Sequence, residues 1–76
     1  MSQRKAARPE PAPAEAQLLT DAQGAFELNL GLTRFLDLQN TDPDFPAPVW
    51  LGPRGKRHFR RALLEYALSK RQRVAA

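Results

Sequence analysis

Arg54, Lys56 and Arg57 crowd around Gly52 and Gly55 in a stretch, Gly52-Pro53-Arg54-Gly55, that reads as a reverse turn. Cations set where the backbone can approach a partner closely suit the binding of phosphate oxygens, or the entry of an arginine into a minor groove. An exposed turn of soluble residues is the plainer alternative. Arg60 and Arg61 follow where a helix is expected to begin, and there the macrodipole disfavours a cation by about 0.3–1 kcal/mol. Residues set against local preference point to a partner, and phosphate is the matching one. The competing account is that the helix propensity of arginine outweighs a screened dipole.

Thr33, Arg34 and Gln39 form a second group. Arg34 can bridge a guanine edge, and Thr33 or Gln39 can reach bases or phosphate, if their segment is a helix lying in a major groove. Asp37 stands against this, and Thr33 has the simpler role of a helix cap. Trp50, the single tryptophan, either stacks on a base, contacts a second protomer or covers the edge of the core. His58 is the single histidine, and with no cysteine and no cluster of ligating side chains, a polar surface role or one phosphate contact is expected of it rather than a metal site. The same scarcity argues against a catalytic triad and so against an enzyme.

The overall charge of +4 hides a strong segregation. Residues 1–9 carry +3, residues 10–52 carry −6 with Arg34 as their single cation, and residues 53–76 carry +7. A local field of that strength holds a polyanion even on a mildly basic molecule. Seventy-six residues leave room for one small domain, and the absence of cysteine removes any disulfide framework or thiolate metal site. No apolar stretch approaches the ~20 residues that span a bilayer, and the Met1 end lacks an apolar signal core. A cytoplasmic protein with no membrane partner and no cofactor is expected.

The elements that must position these side chains follow from the pattern. Residues 1–17 are basic and rich in Pro and Ala, with no large apolar side chain after Met1, and are expected to form a disordered arm. Thr20-Asp21-Ala22-Gln23 has the form of a capping box, predicting a first helix over 21–29 that Gly24 weakens by about 1 kcal/mol. Leu30-Gly31-Leu32 predicts a tight glycine turn, and Thr33 caps a second helix over 34–40, the bare form of a helix-turn-helix. Pro43, Pro46 and Pro48 force extended backbone, with Phe45 as the core anchor. Residues 49–51 and 56–59 then predict a hairpin in which Val49, Leu51, Arg57 and Phe59 share one face and Trp50 points outward. A last helix begins at Arg60 or Arg61, with an apolar stripe of Leu63, Leu64, Ala67 and Leu68, and residues 71–76 form a basic tail.

Together, Leu18-Leu19-Thr20, Leu30-Gly31-Leu32-Thr33-Arg34, the run from Phe45 to Gly52, and Phe59-Arg60-Arg61-Ala62-Leu63-Leu64 resemble the small AlpA-like and phage excisionase-like regulators. The similarity covers about residues 18–69. It implies a mainly α fold with a β-hairpin wing, the winged helix-turn-helix of MerR type, binding double-stranded DNA. Carried over by position, Thr33 and Arg34 fall in the reading helix and Arg54, Lys56 and Arg57 in the wing. Members of such families regulate transcription or direct integrase-mediated excision in phages and mobile elements. An integrase or repressor partner, and self-association or cooperative assembly on DNA, are the corresponding expectations. The rival is an antirepressor-like interaction module that presents the acidic middle segment, with Asp37, Asp42 and Asp44, and uses Trp50 as an anchor.

Overall fold

The structure, a computed structural model, describes residues 8–71. Three helices pack with a three-stranded antiparallel sheet in a mixed α/β arrangement. Along the chain come β1 (Leu18–Leu19), α1 (Asp21–Glu27), α2 (Leu32–Thr41), β2 (Val49–Trp50), β3 (Lys56–Phe59) and α3 (Arg60–Lys70). The expected hairpin is present, with Val49 opposite Arg57 and Trp50 opposite Lys56. A strand that the sequence pattern did not announce, β1, adds to its far edge, pairing Leu18 with Phe59 and Leu19 with His58. Two residues are too few to carry an alternation signal, so only pairing with β3 defines this strand.

The capping box forms as expected, with the Gln23 amide donating to Thr20 Oγ1 at 3.1 Å and the Thr20 amide donating to Gln23 Oε1 at 3.0 Å. The helix then stops two residues earlier than expected. Asn29 takes a left-handed conformation at φ +56°, its amide donates to the Phe26 carbonyl, and the Leu30 amide reaches back to the Ala25 carbonyl at 2.9 Å. That is a Schellman closure with asparagine at the pivot. Gly31, expected to be the pivot, has φ −70° and instead caps α2. Thr33 therefore lies inside the second helix rather than at its cap, because glycine serves nearly as well at that position.

The core is Leu19, Ala25, Phe35, Phe45, Leu63 and Tyr66. Phe35 is at its centre, edge-on to Phe45 with ring centroids 5.3 Å apart, and Phe45 meets Tyr66 at 5.0 Å. Phe45 thus anchors the proline-rich segment as expected. Gly24 is what lets α1 approach: a Cβ there would come within 2.9 Å of Phe35 Cζ and 3.1 Å of Leu63 Cδ1.

Three expectations are corrected by the packing. In α3 the buried side chains are Leu63 and Tyr66, while Leu64, Ala67 and Leu68 face outward. The helix follows β3 without a linker, so the sheet sets its rotation, and Tyr66 enters the core because its hydroxyl reaches Asp42 at 2.6 Å. In the sheet, the core-facing parity is that of Leu19, His58, Lys56 and Trp50, and Val49, Arg57 and Phe59 share the opposite face. Trp50, expected to point outward, is on the core-facing parity and stays 59% exposed because it lies at the end of the hairpin, beyond the core. Residues 10–16 are not a free arm. The Glu10 amide donates to the Ala22 carbonyl, Ala12 and Ala16 pack on the core, and Arg60 binds the carbonyls of Ala14 and Ala16 at 2.7 Å each. Residues 1–7 of the expected arm and 72–76 of the expected tail lie outside the described residues.

Candidate nucleic-acid interface

The hairpin tip is built tightly. The Leu51 amide donates to the Gly55 carbonyl at 2.9 Å and the Gly55 amide donates to the Gly52 carbonyl at 3.1 Å. Gly52 has φ +133°, a conformation open to glycine, and Gly55 abuts Leu51 so closely that a Cβ would lie 3.0 Å from the Leu51 carbonyl carbon. Arg54 is exposed on this turn. Arg57 lies on the outer face of the sheet, where its Nη1 donates to the Lys56 carbonyl at 2.8 Å. Neither arginine has a carboxylate partner among the described residues.

Lys56 is different. Its Nζ lies 3.2 Å from Asp21 Oδ1, and its side chain is largely covered. The same carboxylate oxygen lies 2.7 Å from His58 Nε2. His58, expected at the surface, is 2% exposed and edge-on to Phe35 at 5.1 Å. A lone imidazole can enter an aromatic core because Asp21, the first residue of α1, satisfies one of its ring nitrogens. Lys56 and His58 thus tie the base of the hairpin to the start of α1.

The arginine doublet divides. Arg60, with its side chain 14% exposed, places Nη2 at 2.9 Å from Glu27 Oε2 and gives Nη1 to backbone carbonyls of residues 14 and 16. Its guanidinium is a staple between α1, α3 and the N-terminal segment, which corrects its expected role as a free phosphate ligand. Arg61 is 84% exposed and meets Glu65 at 3.3 Å, one turn along the same helix. Such an exposed i,i+4 pair is worth about 0.3–0.5 kcal/mol, little enough for a phosphate to displace.

On α2, Thr33 and Arg34 are exposed in the first turn, and Arg34 makes a 3.3 Å pair with Asp37 of the same helix. Gln39 does not join them. One helical turn after Phe35, it lies towards the core, where its Oε1 is buried without a partner beside a groove lined by Thr41, Phe45, Pro46 and Pro48. Asn40 takes its place: it follows Thr33 and Asp37 on the outward side, at the i, i+4, i+7 spacing that the sequence already contained.

Of the acidic middle segment, Asp42 is covered and turned on the basic third, while Asp37 and Asp44 stay exposed. Asp42 accepts from the Tyr66 hydroxyl, from the Asp44 amide at 2.9 Å and from Lys70 at 3.1 Å. These bonds, the tyrosine's first, hold its carboxyl down at about 2. Burial and the same hydrogen bond push the Tyr66 hydroxyl up to about 12, and Asp42 raises Lys70 as well. Asp21, Glu27, Asp42 and Asp44 are thereby engaged with Lys56, Arg60 and Lys70.

Among the described residues no three His, Asp or Glu side chains gather as a metal site, and no helix is long and apolar enough to cross a membrane. Compared with known proteins, the chain matches no family model, no curated protein and no solved structure.

Proposed function

We propose that this chain is a small duplex-DNA-binding protein with a winged helix-turn-helix arrangement, in which α2 reads the major groove and the β2–β3 hairpin is the wing. The observation that carries the reading is the pattern of ion pairs. Among the described residues, the cations that meet carboxylates of other elements are Lys56, Arg60 and Lys70, whereas Arg54 and Arg57 on the hairpin meet none. Arg34 and Arg61 are held by a neighbour on their own helix alone. The interface so defined is Arg34, Arg54, Arg57 and Arg61, with Thr33 and Asn40 as polar groups on the same helix as Arg34. Two helices joined across residues 28–31, followed by a hairpin, support the arrangement.

The resemblance to AlpA-like and excisionase-like regulators extends the proposal to a transcription regulator or excision directionality factor of a phage or mobile element, working in the cytoplasm and without enzymatic activity. So small a domain covers few base pairs, so assembly of several copies on adjacent sites, or contact with an integrase or repressor, belongs to the same reading. The interaction-module alternative loses Asp42 to Tyr66 and Lys70, and retains the exposed Asp37 and Asp44 together with Trp50, which is 59% exposed.

A gel shift with duplex DNA decides between them. Replacing Arg54 and Arg57 together with alanine is expected to weaken the shifted band strongly, with residual binding at low salt, while leaving the thermal unfolding of the domain unchanged. Undiminished binding by that variant would remove the wing from the interface.

A further inference from the structure

The hairpin tip carries more than cations. Leu51 opens the turn at 65% exposure, immediately before Gly52 and three residues before Arg54. A large aliphatic side chain at the end of a projecting hairpin gains nothing from burial in the domain. Its backbone is nevertheless fixed: the Leu51 amide donates to the Gly55 carbonyl at 2.9 Å, Gly55 comes so close that a Cβ there would meet the Leu51 carbonyl carbon at 3.0 Å, and Pro53 stiffens the turn that follows. Rigid display of an apolar group lowers the entropy cost of inserting it into a partner.

We infer that Leu51 is a wedge that enters the minor groove of duplex DNA and partly unstacks one base step, while Arg54 and Arg57 hold the phosphates on either side. The inference rests on the DNA-binding reading above and deepens it. Apolar wedges flanked by cations kink duplexes by about 20–90°, the unstacking being offset by the wider contact of bent DNA. A protein surface is the other home for an exposed leucine, but the two arginines on the same hairpin, which meet no carboxylate among the described residues, favour a polyanion. The glycine at position 52 also keeps the turn free of side-chain bulk beside the wedge.

The probe is an A·T-rich duplex with a central TA step and a 2-aminopurine beside it, at low salt, where binding does not depend on a cognate sequence. Binding of the full chain is expected to raise the 2-aminopurine fluorescence and to bend the duplex in a circular-permutation gel assay. Leu51→Ser is expected to lose both signals and to bind about tenfold more weakly. Leu51→Phe restores both, and Arg54→Ala weakens binding while the bend of the residual complex persists. Leu51 is exposed, so these variants fold, and circular dichroism checks that they do. If the wild-type chain binds without bending or unstacking, or if Leu51→Ser bends the duplex as fully as wild type, the wedge is wrong and the DNA-binding reading stands. If the wild-type chain binds no duplex even at low salt, that reading fails and the wedge with it.

Discussion

The Tyr66 hydroxyl donates to Asp42 Oδ2 at 2.6 Å, joining the middle of α3 to the residue that ends α2. Asp42 is held at about 2 against an ordinary 3.8, chiefly by this bond, and Tyr66 is pushed to about 12 against an ordinary 10.0, by burial and the same bond. A depressed carboxyl contributes stability that is complete above its unfolded value and disappears as pH falls through the folded one. The thermal midpoint should therefore drop between pH 3.8 and about 2. The tyrosine's contribution is complete below pH 10.0 and is lost as pH rises towards about 12. Tyr66→Phe should flatten both limbs of a plot of thermal midpoint against pH. Curves that stay parallel to wild type would show that the bond does not couple to folding.

Arg60 and Arg61 are adjacent in sequence and opposite in role. Arg60→Ala leaves Glu27 and three backbone carbonyls without their donor, Glu27 and the Ala16 carbonyl in a partly buried place, and is expected to cost about 2–4 kcal/mol. Arg61→Ala should change stability by no more than about 0.5 kcal/mol while weakening DNA binding. Urea unfolding of the two variants makes the comparison, and equal losses would contradict the division.

Gly24→Ala tests the closeness of α1 to the core. Alanine gains about 1 kcal/mol of helix propensity over glycine, and overpacking a fully buried site costs about 1–3 kcal/mol. Phe35 and Leu63 are both fully buried, so neither moves aside cheaply from the new methyl group. A net loss of about 1 kcal/mol is expected in chemical denaturation. A stabilised variant would mean that the helix is looser than its packing implies.

Salt dependence measures the interface. Contacts from Arg34, Arg54, Arg57 and Arg61 predict that log K falls against log salt with a slope of about −4, reduced to about −2 when Arg54 and Arg57 are alanine. A titration that hardly responds to salt would exclude phosphate neutralisation as the source of affinity.

Local sequence was enough for features that one segment decides by itself. The capping box at Thr20 and Gln23, the break in helix at Pro43, the hairpin across Gly52–Gly55 and the anchoring by Phe45 all follow from side chains within a few residues of one another. The cationic hairpin was legible for the same reason, because Arg54 and Arg57 need only a turn to bring them together. Tertiary structure decided what depends on distant partners. His58 became a core residue because Asp21, far away in sequence, receives its Nε2. Arg60 was removed from the surface by Glu27 and the backbone of residues 14–16, and Lys56 by Asp21. The rotation of α3 was set by β3 and by the reach of Tyr66 to Asp42, which no periodicity of Leu63, Leu64 and Leu68 encodes. Charge counted along a chain records how many cations exist, but which remain available depends on the carboxylates that folding brings within about 4 Å of them.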